Sequence, residues 1–414
     1  MRFNSEKIAV VLGRSVDALG SLIFLKMLAI AVTKDNVGTY LLASSFLAVL
    51  LTMTFSAWDQ GLLRNLSDYR DRAELSARYS AMLLGYLAIG FVLALIIYFG
   101  VIGLGIFSSL QLVWVPLLLW FVSDGLKNLN QTVASGLRSR QLITFASAID
   151  YGCRISFLAW FGMYQMADAS TVIYLLVLSG LAATMVYLVA HRGMLTCFSW
   201  PNFRGTLLES LVFSWPMIIW GLFAWIQNMS NRWILSHFTN LGVVAEYGVL
   251  VSIASFPVTA LLGIVVTYIV PILYEQENLR VGASRAIVLR AALAMLPVCA
   301  ALILIAIFWH RDIILLFSGP EYIAHSAMLP IVVAAVSFNA ACSVLIYSVL
   351  AQRQVSSLLF ANILPGVICL ILGYYLIQLY GFEGAIWTLG LTQILGGVLF
   401  VLTYLFKKPV QTVA

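Results

Sequence analysis

The chain is poor in charge. Asp, Glu, Lys and Arg make up 10% of its 414 residues, against 62% hydrophobic residues and a mean hydropathy of +0.99. A soluble chain carries about 25% charged and about 45–50% apolar residues. Too little polar surface is left to coat a water-soluble globule, so the chain must be solvated largely by lipid. Soluble nucleotide enzymes, nucleic-acid binders and disulfide scaffolds are excluded on that ground. Histidine is scarce too, and His191, His237, His310 and His325 lie near the ends of apolar stretches without clustering with carboxylates. The five cysteines (Cys153, Cys197, Cys299, Cys342 and Cys369) show no metal-ligand spacing and read as small apolar packing residues. Nucleotide, zinc-protease and serine-hydrolase motifs (G-x-x-x-x-G-K-S/T, H-E-x-x-H, G-x-S-x-G) are missing. The expectation is therefore a protein without catalytic residues, metal or cofactor. Any work it does must draw on a proton or sodium gradient, the membrane potential or the substrate's own concentration difference.

What is present is long apolar runs. Twelve stretches, about 8–32, 38–60, 77–100, 108–130, 141–163, 169–190, 208–237, 243–273, 285–309, 322–350, 356–379 and 384–406, each come near the roughly 20 residues that cross a bilayer. The first is long enough to span and lacks a clear small-residue cleavage site, so it reads as a retained helix. With the N-terminus inside, 16 of the 23 basic residues fall on inside segments: Arg2, Lys7, Arg64, Arg70, Arg72, Arg78, Arg138, Arg140, Arg192, Arg204, Arg280, Arg285, Arg290, Arg353, Lys407 and Lys408. Only Lys34 and Arg311 fall outside. The positive-inside rule then places both termini in the cytoplasm. The net charge of +6 is a topology signal and carries no nucleic-acid meaning. The connecting segments are too short for separate domains.

The fold expected is an all-α polytopic membrane protein of 12 transmembrane helices in two six-helix lobes, 1–200 and 201–414. A shift of 207 residues lays the first apolar stretch on the seventh, although identity under the shift is near chance. Such 6+6 plans are common among transporters, which hold substrate near the midplane between repeats. The halves differ in composition: nine of the ten prolines follow residue 200. Proline removes a backbone hydrogen bond and permits a bend; Pro216 and Pro257 are the candidate gating bends.

Charge inside a span costs at least about 2.5–3.5 kcal/mol, so it needs a partner or a purpose. Arg14 and Asp17 lie three apart, Asp124 and Lys127 three apart, and Asp150 and Arg154 four apart, each pair on one helix face. They read either as intrahelical ion pairs or as the polar lining of a wet interior. Lys26 and Arg232 have no acidic neighbour in sequence and sit at nearly equivalent places under the 207-residue shift. They either snorkel to the interface or face a cleft and attract an anion. Arg14, Arg154, Arg232, Lys26 and Lys127 are thus the candidate ligand-binding residues, and Asp17, Asp124 and Asp150 the candidates for tuning them or carrying a coupling ion. Asp59 and Glu246 mark span ends. Arginine suits phosphate, because its planar fork grips two oxygens. Trp215, Trp220, Trp225 and Trp233 load the seventh stretch with aromatic rings, which stack on sugars or anchor at the interface.

Ser318-Gly319-Pro320-Glu321-Tyr322 followed by Ala327-Met328-Leu329, Tyr380-Gly381-Phe382-Glu383-Gly384-Ala385, and Val37-Gly38-Thr39-Tyr40 form a further pattern. In their order along the chain and at these span boundaries they resemble the turn motifs of Wzx-type flippases, the polysaccharide branch of the multidrug/oligosaccharidyl-lipid/polysaccharide (MOP) exporters. The motifs are architectural and carry no ligand role. The resemblance implies a MOP/MATE-like fold in a bacterial inner membrane. It further implies transfer of an undecaprenyl-pyrophosphate-linked oligosaccharide, an O-antigen or related lipopolysaccharide repeat unit, from the cytoplasmic to the periplasmic leaflet by alternating access. Polysaccharide polymerase and a chain-length regulator are its candidate partners. Two alternatives stay open: a cation-coupled drug antiporter of the same superfamily, and a membrane enzyme of polysaccharide assembly.

Overall fold

The computed structural model describes residues 2–65, 72–104, 113–163, 167–196, 199–279, 282–352 and 358–406. Arg70, Arg280, Arg353, Lys407, Lys408 and Cys197 lie outside the described residues, as do the side chains of Arg2, Lys7, Arg14, Arg64 and Arg72. Every regular element among the described residues is helical. The chain divides into two compact units, Met1–Leu222 and Phe223–Ala414.

The first unit contains α1 (Arg2–Ala31), α2 (Lys34–Met53), α3 (Phe55–Asn65), α4 (Arg72–Leu104), α5 (Trp114–Gly136), α6 (Arg140–Met163) and α7 (Ala169–Ala190). It closes with the first part of α8 (Trp200–Phe238). The second holds the remainder of α8 and α9 (Leu241–Leu279), α10 (Ala283–Phe317), α11 (Leu329–Ser343), α12 (Ile346–Ala351), α13 (Leu359–Tyr380) and α14 (Phe382–Phe406).

Among the described residues nine helical segments are long and apolar enough to cross a membrane, and the bent α8 adds a tenth. The chain is a multi-pass membrane protein. α1 and α5 cover the first and fourth apolar stretches but fall outside that set. Arg14, Asp17 and Lys26 lower the apolar character of α1, and Asp124, Lys127, Asn128 and Gln131 that of α5. The central charges of the first unit are thus carried by α1, α5 and α6, its least apolar long helices.

Packing in the first unit runs α1 on α6, α6 on α7 and α7 on α5. Close approach of α1 to α6 depends on Gly20, where a Cβ would lie 2.5 Å from the Tyr151 ring. The α5–α6 turn is a Schellman motif: Ser139 N–H donates to Ala134 O (2.9 Å) and Arg138 N–H to Ser135 O (3.1 Å). Arg138 holds the left-handed position at φ 55°. α7 begins with Asp168 accepting from the Thr171 amide at 2.7 Å, the side-chain cap that unsatisfied N-terminal amides require.

α8 bends by 60° between Val212 and Ser214, just before Pro216. Pro216 has no amide to offer Val212 O, and its ring crowds that carbonyl, which accounts for the bend. Pro257 sits inside α9. α10 leaves helical geometry at Trp309 (φ −123°, ψ 22°), well beyond its Pro297.

In the second unit α14 packs on α13 and α11, and α9, α10 and α11 bury an apolar core around Val258, Val288, Met295, Ala341 and Val344. The Gly319–Tyr322 segment makes a short 3-10 turn with Tyr322 buried. The α13–α14 turn places Gly381 at φ 56°. At Gly384 a Cβ would meet Leu376 O at 2.1 Å, so only glycine admits this approach. Glu277, beyond the apolar part of α9, accepts from the amides of Gly282 (2.8 Å) and Ser284 (3.0 Å) and so caps α10.

Candidate functional site

The first unit contains a half-open cavity of about 340 Å³. One wall is a face of α5, where Trp120, Asp124, Lys127, Asn128 and Gln131 recur at helical spacing. The facing wall comes from α6, with Ser147, Asp150, Tyr151 and Arg154. Asp17 of α1 and Tyr187 of α7 complete the polar lining.

The charges are coupled across helices. Lys127 Nζ lies 2.6 Å from Asp124 on its own helix and 3.3 Å from Asp150 on α6. Arg154 grips Asp150 through two nitrogens, Nη2 at 2.7 Å and Nε at 2.8 Å, with Nε also 3.2 Å from Ser179 Oγ of α7. Its guanidinium lies 5.2 Å from the Tyr151 ring centre. Asp150, with its side chain 8% exposed, thus serves two cations at once. Satisfying a buried carboxylate this fully offsets part of the cost of taking it out of water. Charge alone is not balanced: Asp17, Asp124 and Asp150 face Lys127 and Arg154 among the described lining residues.

Five of the eight charged positions singled out by sequence therefore meet in one place. Arg14 shares α1 with Asp17, but its side chain lies outside the described residues. Lys26, half-buried on α1, does not line this cavity. Arg232 is buried in the second unit, next to Asn231, whose amide donates to Tyr247 Oη at 3.3 Å. Asp59 is buried and accepts from Tyr86 Oη at 3.1 Å. Glu246 lies 2.7 Å from His325 Nδ1, and that imidazole stacks on Phe382.

The neutral lining was missed by a reading that followed charge. Trp120 stacks on Tyr40 at 6.2 Å and 18°, and its buried indole N–H has no acceptor among the described residues. Asn128 and Gln131 lie on the same α5 face as Asp124 and Lys127, so the helical repeat alone could have found them. The tryptophans of α8 do not line the cavity, and Trp215 is exposed. Cys299 and Cys369 are buried, the latter with its thiol 3.6 Å from Gln227 O.

The second unit organises its buried polar groups differently. Gln227 donates to Thr392 O at 2.9 Å, Asn339 to Gln393 O at 2.8 Å, and Gln393 to Asn228 Oδ1 at 2.9 Å. These amides tie α8, α11 and α14 together without an ion pair.

The fold is MATE- and MurJ-like. Over 96% of this chain and 86% of the other, it matches the lipid II flippase MurJ in an inward closed conformation, at TM-score 0.68 and 14% identity. The MATE multidrug transporter DinF-BH, in a ligand complex, matches at TM-score 0.68 and 15% identity, covering 98% and 96% of the two chains. A MOP superfamily transporter from Pyrococcus furiosus, described as having a binding pocket of reverse polarity, matches at TM-score 0.65 and 14% identity over 97% and 93%. No protein-family model matches the sequence, and no curated protein does.

Proposed function

We propose that this chain is a transporter that flips an undecaprenyl-pyrophosphate-linked oligosaccharide, an O-antigen or related repeat unit, across a bacterial inner membrane. The observation that carries the reading is the cavity of about 340 Å³ lined by five charged side chains inside a membrane-embedded unit. A lipid carrier needs a polar path for its headgroup while its tail stays in the bilayer, and embedded charge marks such paths. The turn motifs around Gly319–Tyr322 and Tyr380–Ala385 support the polysaccharide branch, and the likeness to a lipid II flippase supports a lipid-linked cargo.

In this reading Arg14 and Lys26 of the first unit and Arg232 of the second each attract the pyrophosphate at some point on its path. Lys127 and Arg154 contribute positive charge, and Asp17, Asp124 and Asp150 tune these bases or carry a coupling proton or sodium ion. The bend before Pro216, with Pro257 in α9, gives the gate its flexibility. Transport proceeds by alternating exposure to the two membrane faces, with cytoplasmic N- and C-termini.

The test is leaflet exchange of a labelled polyprenyl-pyrophosphate oligosaccharide in liposomes, followed with an impermeant sugar-modifying reagent. Protein-dependent exchange is expected, lowered about tenfold or more by Arg232→Ala at unchanged expression. A second reading, cation-coupled antiport of an organic cation, is favoured by the excess of carboxylates in the described lining. Efflux of a cationic dye driven by an imposed proton or sodium gradient, without glycolipid exchange, would establish it instead.

A further inference from the structure

The hydrogen-bonding capacity of the cavity is unevenly spent. Arg154 directs Nε and Nη2 at Asp150, and Lys127 is held between Asp124 and Asp150. Part of the donor capacity of both cations is thus taken by carboxylates, and an incoming phosphate would meet a described lining with three acids and two bases. The neutral groups are in the opposite condition. Asn128 and Gln131, half-buried on the same wall, make no side-chain hydrogen bond among the described residues. Each amide offers two donors and an acceptor. Two to three turns away on the same face of α5 stands the Trp120 ring, fixed by its stack on Tyr40, which is itself met edge-on by Phe24 at 6.2 Å.

We infer that this cavity is a subsite for the uncharged sugar rings of the cargo and does not hold the pyrophosphate. A sugar presents hydroxyls that both donate and accept, together with an apolar C–H face. Amides can exchange hydrogen bonds with the hydroxyls, carboxylates such as Asp17 and Asp124 can accept from them, and an indole packs against the C–H face. The volume lies at the small end of ligand pockets, which run from roughly 300 to 1,000 Å³. In this division of labour the paired charges act as a scaffold that fixes the α5 and α6 walls, while the amides and the indole meet the ligand. The inference rests on the proposed glycolipid cargo, and it assigns Trp120, Asn128 and Gln131 a binding role.

The experiment compares three probes on the purified full-length chain in nanodiscs: a polyprenyl-pyrophosphate trisaccharide, the same lipid without sugar, and a free methyl glycoside of the trisaccharide. The variants are Gln131→Met and Asn128→Leu, which keep side-chain bulk while removing the amide, and Trp120→Phe, which keeps a ring to stack on Tyr40. Each amide variant should weaken binding of both sugar-bearing probes about fivefold to tenfold, the size of one lost hydrogen bond, and leave the sugar-free lipid within twofold. Equal losses for the lipids with and without sugar would overturn the inference, as would unchanged affinities throughout or a wild-type chain that binds no sugar-bearing probe. If the wild-type chain binds the free glycoside through these residues yet flips no glycolipid, the subsite stands and the flippase reading falls. Unchanged thermal unfolding midpoints identify the variants that report on binding.

Discussion

The two units solve the same problem in different ways. Each must bury polar side chains inside a membrane-embedded helical bundle. The first does so with ionised groups, Asp124, Lys127, Asp150 and Arg154, arranged around an open volume. The second also buries Arg232 and pairs Glu246 with His325, but it joins α8, α11 and α14 through neutral amides, Gln227, Asn339 and Gln393. Interhelical amide bonds of that kind contribute on average about 0.6 kcal/mol each in membranes, enough to fix register at low risk. Buried ion pairs carry a larger desolvation cost and are weak evidence for stability. The charges of the first unit are therefore poorly explained as structural glue, since amides suffice for that next door.

Four substitutions or titrations probe this contrast. The largest effect is expected for Asp150→Asn, which leaves Lys127 and Arg154 without their shared carboxylate. Removing one partner of a buried pair costs about 3–5 kcal/mol, and thermal unfolding in lipid should show it. An unchanged midpoint would mean that water already satisfies those cations. Gly384→Ala comes next: forcing a methyl against Leu376 O should cost about 1–3 kcal/mol and loosen the second unit alone. Local hydrogen exchange on α13 and α14 would reveal that loss, and protection equal to wild type would refute the close approach. Gln393→Leu should cost about 1 kcal/mol and leave leaflet exchange intact, whereas a large transport defect would give the amide seam a functional part.

The smallest effect is a pH dependence at Glu277. Burial alone would raise its pKa, but hydrogen bonds from Ser284, Gly282 and the Gln352 side chain together bring it below the ordinary 4.5. With a depressed folded value, the cap's contribution is complete above 4.5 and fades as pH falls through the folded value. The unfolding midpoint of the wild-type chain should therefore drop more steeply on acidification than that of Glu277→Gln. Parallel curves would remove the cap from the account.

Much of this was legible in the residues and some was not. The helical class followed from composition, and the intrahelical spacings of Asp124–Lys127 and Asp150–Arg154 pointed to local pairs. The bond from Lys127 to Asp150 was hidden, because it joins helices whose mutual rotation no spacing records. Asn128 and Gln131 escaped notice because amides cost less to bury than charges, so a search keyed to expense passes over them. Pro216 announced the bend in α8, since a missing amide acts locally. The break at Trp309 stands too far from Pro297 for the same cause.

The striped face of α5 also limits how that helix can move. Trp120, Asp124, Lys127, Asn128 and Gln131 occupy one side of the helix, while Val115 and Leu119 on another side are exposed. Turning the helix by a single residue step, about 100°, would swing ammonium and carboxylate groups toward hydrocarbon. Any motion of α5 that alternates access must therefore keep its roll angle, because its charged stripe has one permitted heading.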